Sequence, residues 1–204
     1  MNNLLVRPFP ISDHPLRGRH YRLPTPTIEA LYTLVTSALD RRRPGITVYG
    51  GSRLGKTTAI EYLEAFLKTN RPKLPVVVLG CRFKRVPSET AFFSNFLNTV
   101  RHKAVSGRDT EVLRQRLVQK LCEMADNKHH DQLLLFADEA QNFARCEYEW
   151  LRDIHDDLHR WGKALLVVLV GQPELKSQKV TFQRDGSMHI VSRFMVHELA
   201  FHGI

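Results

Sequence analysis

The residues best suited to chemistry lie between Gly50 and Thr58, where the sequence reads GGSRLGKTT. From Gly50 to Thr57 it fits the pattern G-x-x-x-x-G-K-[ST], in which backbone N–H groups of a glycine-rich loop surround phosphate groups. A β-branched and aromatic run at 46–49 predicts a buried strand before the loop, and 56–68 predicts an amphipathic helix after it. This order forms a cradle for a triphosphate, because the helix N-terminus adds partial positive charge.

Four positions in this motif have distinct chemical roles toward a nucleotide. Gly50 and Gly55 allow the backbone to turn tightly close to the phosphate oxygens. Lys56 supplies a positive charge near the β and γ phosphates, and Thr57 offers its hydroxyl to Mg²⁺. A chance string of glycine and lysine in a surface loop is the alternative, and the flanking strand and helix disfavour it. The predicted nucleotide-binding residues are Gly50, Gly51, Ser52, Arg53, Leu54, Gly55, Lys56, Thr57 and Thr58.

A second chemical element follows at 133–139, where LLLFADE predicts a buried strand ending in Asp138 and Glu139. In nucleotide-hydrolysing proteins the first acid holds Mg²⁺ through its water shell, and the next polarises the attacking water. Apolar residues followed by two acids are common by themselves. Here they begin about 80 residues after a phosphate loop, and the combination predicts nucleotide hydrolysis.

Other polar residues leave their roles open. An apolar strand predicted at 163–172 ends in Gln172, which would lie beside the phosphates at the carboxyl edge of a parallel sheet. Gln172 is then either a γ-phosphate and water sensor or a turn residue before Pro173. His155 and His159 lie four residues apart and could chelate a metal, but no third ligand is evident, which favours a solvated helix face.

The elements that must position these residues form an α/β fold. Uninterrupted apolar runs predict strands of a parallel sheet at 46–49, 74–79, 133–137 and 164–170. A further strand is expected near 188–199. Amphipathic spacing predicts helices at 27–42, 56–68, 88–100, 109–127 and 146–161, with Thr27 as the first N-cap. The expected fold class is a three-layer α/β/α P-loop nucleotide triphosphatase with a parallel sheet.

Composition and charge narrow the class of protein. Of the 204 residues 43% are hydrophobic and 25% charged, and no apolar run approaches a membrane span, so we expect a cytoplasmic protein with no membrane contact. Three cysteines without CxxC spacing indicate reduced thiols. Residues 1–130 hold 22 Lys or Arg against 10 Asp or Glu, although the whole chain is only +9. This asymmetry indicates a polyanion partner, or else only a soluble basic surface.

The first 26 residues differ in composition from the remainder. They contain five prolines and four arginines, which resist regular structure and predict an extended basic arm. Such an arm could lie on a neighbouring subunit or on DNA, or serve as a mobile leader. The predicted division is an arm at 1–26 and a nucleotide-binding core at 27–204.

These motifs together resemble a known family. GGSRLGKTT, LLLFADEAQNF and LVVLVGQPEL, with Ser192-Arg193-Phe194 beyond them, are similar to the AAA+ ATPases of the TniB/TnsC type, which regulate transposition. The DEAQ and GQPEL strings are also shared with ExeA-like ATPases. The resemblance covers about residues 28–200. It implies that ATP and Mg²⁺ are the ligands, with catalytic roles for Lys56, Glu139, Gln172 and Arg193 and metal binding by Thr57 and Asp138.

The resemblance also implies partners. Members of the family form rings or filaments on duplex DNA and recruit a transposase, with an adaptor protein. Arg193 would be the arginine finger that reaches the γ-phosphate of the next subunit, or else a surface arginine or a partner of Glu198. The DNA-contact candidates are Arg82, Lys84, Arg85, Arg101 and Lys103. A helical lid normally follows the core, and only about ten residues follow Arg193, so we expect the lid to be missing or truncated.

Two other functions compete with ATP-dependent regulation of transposition. An ExeA-like ATPase would act on secretion or envelope machinery, and stimulation of its turnover by duplex DNA would not be expected. A nucleotide-gated assembly module would bind ATP and partners but scarcely hydrolyse it.

Overall fold

The computed structural model describes residues 25–203, so the arm predicted at 1–26 lies almost wholly outside the described residues. The elements are α1 (Pro26–Asp40), β1 (Gly45–Tyr49), α2 (Lys56–Asn70), β2 (Val76–Gly80), α3 (Glu89–Thr99), α4 (Thr110–Asp126), β3 (Gln132–Asp138), α5 (Arg145–Arg160), β4 (Ala164–Gly171), α6 (Glu174–Arg184), α7 (Met188–Phe194) and β5 (His197–Ala200). A 3₁₀ turn at Ala140–Asn142 follows β3.

The five strands form one parallel sheet in the order β2-β3-β4-β1-β5. Because all strands run the same way, the residues that follow them emerge at one edge. Asp138 is paired in register with Val170, and Tyr49 with Gly171. The order therefore brings the loop after β1 and the carboxylates after β3 to the same edge, on either side of β4.

Helices cover both faces of the sheet. Alternate residues of the central strands point to opposite sides: Leu134 and Val168 pack with α1 and α2, whereas Leu135 and Val167 pack with α3 to α7. Since both faces are covered, the strands are apolar runs without alternation, as the sequence indicated. The prediction of a three-layer α/β/α fold with a parallel sheet is confirmed.

Two local predictions are wrong. The N-cap of α1 is Thr25 rather than Thr27, because Pro26, with its fixed φ, occupies the first helical position and the Thr25 hydroxyl accepts from the N–H of Ile28 at 3.3 Å. The fifth strand is shorter than 188–199, since Met188–Phe194 forms α7 and only His197–Ala200 joins the sheet.

The described residues give two further findings. None of the helices in the described part is long and apolar enough to cross a membrane. Cys81 and Cys122 are buried free thiols, and Cys146 is a partly exposed one.

Candidate nucleotide-binding site

The loop after β1 is held at both of its ends. The N–H of Gly50 donates to the carbonyl of Gly171 in β4 at 3.1 Å. The Lys56 ammonium, although its residue is only 5% exposed, donates to the carbonyls of Gly50 and Gly51 at 2.8 and 2.6 Å. The loop therefore bends around the ammonium group of Lys56, while residues 51–55 remain exposed.

The start of α2 is open to an anion. Gly55 precedes the helix with a φ of 87°, in the left-handed region that glycine adopts without strain. Among residues 25–203 no side chain caps this helix, and its first turn contains no acidic residue. Five of the other six helices described carry a glutamate in that turn. The first N–H groups of α2 therefore keep their positive end free for a phosphate.

Across the sheet edge, the Thr57 hydroxyl donates to the Oδ2 atom of Asp138 at 2.8 Å. The Oδ1 atom of the same carboxylate accepts the N–H of Glu139 at 3.0 Å. Burial is the largest cause acting on Asp138 and raises the pKa of its carboxyl, while the hydrogen bond from Thr57 acts in the opposite direction. A half-buried carboxylate and an adjacent hydroxyl supply oxygen ligands of the kind that a hard cation such as Mg²⁺ prefers.

Glu139 stands at the turn between β3 and the 3₁₀ segment with a positive φ of 56°. Its carboxylate accepts a hydrogen bond from the Nε2 atom of Gln141 at 2.5 Å. The Oε1 atom of Gln141 accepts the backbone N–H of Gln172 at 3.0 Å. The side-chain amide of Gln172 itself has no hydrogen-bond partner among residues 25–203 and is half-buried, so it is available to a ligand.

The chain after β5 passes directly beside the phosphate loop. The N–H of Phe201 donates to the carbonyl of Tyr49 at 2.8 Å. A Cβ atom at Gly50 would lie 2.4 Å from the carbonyl oxygen of Phe201, so only glycine fits at the first position of the motif. Gly203 likewise lies against Leu54, where a Cβ would approach the leucine side chain at 2.9 Å.

These residues fit a magnesium nucleotide. The open helix start and the Lys56 ammonium suit phosphate oxygens, and Thr57 and Asp138 would hold Mg²⁺. Residues 29–178 match the family model described as an AAA domain. The chain belongs to the AAA domain family.

Solved structures with the fold of this AAA domain include origin recognition proteins. The ORC2 protein of Aeropyrum pernix, in ADPNP and ADP complexes, is 18% identical with a TM-score of 0.64, covering 89% of this chain and 48% of its own. The ORC1 protein of the same organism, in complex with DNA, is 17% identical with a TM-score of 0.62, covering 88% and 46%. Drosophila ORC bound to AT-rich DNA and Cdc6 is 17% identical with a TM-score of 0.60, covering 87% and 28%.

The AAA domain described here therefore spans about half the length of the two Aeropyrum chains and less of the Drosophila chain. No curated protein matches the sequence.

Arg193 lies at the end of the AAA domain opposite to its own phosphate loop. A Cβ at Gly45, the first residue of β1, would lie 2.7 Å from the carbonyl oxygen of Arg193, whereas the phosphate loop follows the last residue of β1. The five-residue strand separates the two by roughly 16 Å. The Arg193 guanidinium forms an ion pair with Asp156 of α5. Glu198, the partner that the sequence suggested for Arg193, pairs with Lys179 instead.

The five DNA-contact candidates fall into two groups. Arg82 and Arg85 are exposed in the loop between β2 and α3, and Arg101 and Lys103 are exposed after α3, all without an ion pair among residues 25–203. Lys84 differs from them, because its ammonium pairs with Glu147, a residue only 1% exposed. The Glu147 carboxylate also accepts the N–H of Ala144 at 3.0 Å. Lys84 thus fastens the loop to the start of α5.

The sequence did not indicate the residues whose hydrogen bonds hold the Glu139 carboxylate and the turn that follows it. Gln141 lies inside the DEAQNF string but was assigned no role. Glu147 and Tyr148 lie in the helix predicted at 146–161, and Gln178 lies in α6, which was not predicted. The only available signal for Gln141 was its spacing of two residues from Glu139.

In the described ranges no group of three or more His, Cys, Asp or Glu residues could hold a metal ion. His155 packs against Phe194, with ring centroids 6.4 Å apart.

Proposed function

We propose that this AAA domain binds ATP with Mg²⁺ and hydrolyses it when subunits assemble on duplex DNA, as a regulator that delivers target sites to a transposase. The observation that carries the nucleotide part is the convergence of Lys56, Thr57 and Asp138 at one sheet edge. Transposition, with its transposase and adaptor partners, is supported by the DEAQNF and GQPEL strings and by Arg193.

Each of the chain's own groups has a step to perform. Lys56 and the N–H groups at the start of α2 bind phosphate oxygens, and Thr57 and Asp138 hold Mg²⁺. Mg²⁺ neutralises negative charge on the phosphates when it is bound. The Glu139 carboxylate orients the attacking water and accepts its proton, while Gln172 donates a hydrogen bond at the γ-phosphate or to that water.

Arg193 would act on the nucleotide of a neighbouring subunit. Its distance from its own phosphate loop favours this arrangement, and a guanidinium there would neutralise charge developing on the γ-phosphate. The ion pair with Asp156 must open for this contact to form. Assembly and hydrolysis would then be linked.

The DNA part of the proposal rests on the free arginines of the β2–α3 loop. Arg82 and Arg85 are exposed, as are the apolar side chains of Phe83 and Val86 between and after them. Two solved proteins with this fold, Aeropyrum pernix ORC1 and Drosophila ORC, were determined with DNA, which makes duplex DNA the first polyanion to test.

A salt series tests the DNA part. The affinity for duplex DNA is measured for wild type, for Arg82→Gln/Arg85→Gln, and for Lys68→Gln/Lys73→Gln, a control that removes the same charge from other exposed positions. Each lost phosphate contact should lower the slope of log affinity against log salt by about 1. Equal slopes for the two double variants would exclude the loop as the contact surface.

A nucleotide-gated assembly module with little turnover is a second candidate. The pairing of Arg193 with Asp156 favours it for the separate subunit, because that guanidinium is engaged away from any phosphate. Phosphate release with and without duplex DNA, for wild type and Glu139→Gln, separates the two. Release that DNA stimulates and Glu139→Gln abolishes supports the ATPase, whereas equally slow release by both proteins supports the module.

A further inference from the structure

The side chain of Gln141 connects two groups that would face the same phosphate. Its Nε2 atom donates to the Glu139 carboxylate at 2.5 Å, and its Oε1 atom accepts the backbone N–H of Gln172 at 3.0 Å. These partners fix the orientation of the amide, because a carboxylate only accepts and a backbone N–H only donates. One amide group therefore ties the end of β3 to the end of β4.

The backbone of Gln141 is itself held by α6. The Nε2 atom of Gln178 donates to the carbonyls of Gln141 and Phe143 at 2.9 and 3.1 Å. The Oε1 atom of Gln178 accepts the Tyr148 hydroxyl at 3.0 Å, and burial raises the pKa of this phenol, so it stays a donor. The nitrogen and the oxygen of the Gln178 amide are thus both engaged, and they hold the 3₁₀ turn that follows β3.

The Gln141 amide occupies the space that a side chain at Gly171 would need. A Cβ atom at Gly171 would lie 2.3 Å from the Oε1 atom of Gln141 and 2.8 Å from Leu175. The absence of a side chain at the last residue of β4 is therefore what admits the Gln141 amide. The contact is specific to this side chain, since a surface glutamine would have neither a fitted space nor two directed partners.

We propose that Gln141 is a positioning residue that holds the Glu139 carboxylate in register with Gln172 and transmits movements of α6 to it. This inference rests on the proposed ATPase function, since it assigns Glu139 to the attacking water. A shift of α6 relative to the sheet would move Gln141 through Gln178, and with it the Glu139 carboxylate. Because α6 leads into α7, which carries Arg193, contact with a neighbouring subunit has a covalent and hydrogen-bonded route to Glu139.

The first variant to compare with wild type is Gln141→Ala, in DNA-stimulated ATP hydrolysis. We expect kcat to fall between about 10-fold and 100-fold, because a small misplacement of a catalytic group has that effect, while KM for ATP stays unchanged. Gln115→Ala is the matched control. It removes an amide that donates to the Glu111 carboxylate at 2.9 Å on the exposed face of α4, away from the site.

A double-mutant cycle separates positioning from general damage. If Gln141 acts through Glu139, Gln141→Ala should lower the residual rate no further in a Glu139→Gln background. Gln141→Glu keeps the acceptor for the Gln172 N–H and replaces the donor with a second carboxyl group. It should fold as wild type and still lower kcat, because a carboxylate only accepts and cannot donate the hydrogen bond that holds the Glu139 side chain.

A readout without nucleotide is hydrogen exchange of the Gln172 backbone amide in the apo protein, followed by NMR. Exchange should be faster in Gln141→Ala than in wild type and unchanged in Glu139→Gln and Gln115→Ala.

The outcomes are distinguishable from failure of the proposed function. No ATP binding by wild type would overturn the proposed function and this inference together. Wild-type hydrolysis with an unchanged kcat in Gln141→Ala, or additive losses in the Glu139→Gln background, would overturn the inference alone. Unaltered exchange at Gln172 in Gln141→Ala would overturn it as well.

Discussion

The hydroxyl of Thr57 and the carboxylate of Asp138 lie 2.8 Å apart although 81 residues separate them in the chain. The contact joins the first turn of α2, which follows β1, to the end of β3. In the sheet, β4 lies between β1 and β3. It exists because a parallel sheet delivers every strand end to one edge. The chemistry proposed for this AAA domain depends on that edge.

Lys56→Met should lower ATP affinity about 10-fold to 100-fold, since one charge-assisted hydrogen bond to a phosphate contributes about 1.5–3 kcal/mol. Isothermal titration with ATP and Mg²⁺ measures the change. Lys68→Met, on the exposed side of the same helix and paired with Glu64, is the control and should bind as wild type. Equal affinities for the two variants would contradict a phosphate-binding role for Lys56.

Asp138→Asn should abolish the Mg²⁺ dependence of nucleotide binding and raise the thermal stability of the apo protein at pH 7. The pKa of Asp138 is raised in the folded state, so its contribution to stability is present below its ordinary pKa of 3.8 and is lost as pH rises through the folded pKa. The Tm advantage of the variant should therefore vanish toward about pH 4.

Asp185→Asn, which changes an exposed carboxylate after α6, is the control for this measurement. A Tm difference that stays constant with pH for Asp138→Asn would argue against a raised pKa as its cause.

Lys84→Met should lower the free energy of unfolding by about 3 kcal/mol, because it leaves the buried Glu147 carboxylate without its ion-pair partner. Denaturant titration measures the loss. Arg85→Met, at the next exposed position, should change stability by less than about 0.5 kcal/mol. Replacing both partners, as Lys84→Met/Glu147→Gln, should recover part of the loss, and a double variant no more stable than the single one would contradict the pairing.

Gly171→Ala should reduce kcat for ATP hydrolysis to the same extent as Gln141→Ala, since a Cβ at this position would occupy the space of the Gln141 amide. Steady-state kinetics on both variants and on their combination make the comparison. The combined variant should be no slower than either single one. Gly80→Ala, at the end of β2 where a Cβ meets no atom within 4 Å, is the control strand-end glycine.

Mixing variants tests the direction in which Arg193 acts. An Arg193→Ala subunit keeps a complete ATP site but has no arginine to offer its neighbour. A Glu139→Gln subunit keeps Arg193, but its own site binds ATP without hydrolysing it. Each alone should be inactive, and an equimolar mixture on DNA should regain a fraction of wild-type phosphate release. Inactivity of the mixture, with both proteins binding ATP, would show that Arg193 does not act between subunits.

The strands and the phosphate loop were predictable because their signals are local. Uninterrupted apolar runs such as LPVVVLG and the glycine spacing of GGSRLGKTT describe their own surroundings. The same holds for Asp138, which a strand and its position after the loop identify. The ligand chemistry of the site stays a prediction until nucleotide binding is measured.

What the sequence could not show depends on contacts between distant elements. Glu147 lies in the helix predicted at 146–161, and its burial arises because α5 lies against the β2–α3 loop, where Lys84 pairs with it. The sequence offered Glu198 as an ion-pair partner for Arg193, but the partner is Asp156. The packing of α7 on α5 decides which carboxylate lies near the guanidinium. Gln141 has Glu139 as a local partner, but it reaches the backbone N–H of Gln172 only because β3 lies beside β4.

The separation of Arg193 from the phosphate loop along β1 has a geometric consequence for any active assembly. If Arg193 completes the pocket of a neighbouring protomer, as proposed, the two protomers must associate head to tail, through a heterologous interface. An open array of n such protomers completes n − 1 pockets and leaves one terminal pocket idle, whereas a closed ring completes them all. Phosphate release per protomer would then report the length of the array.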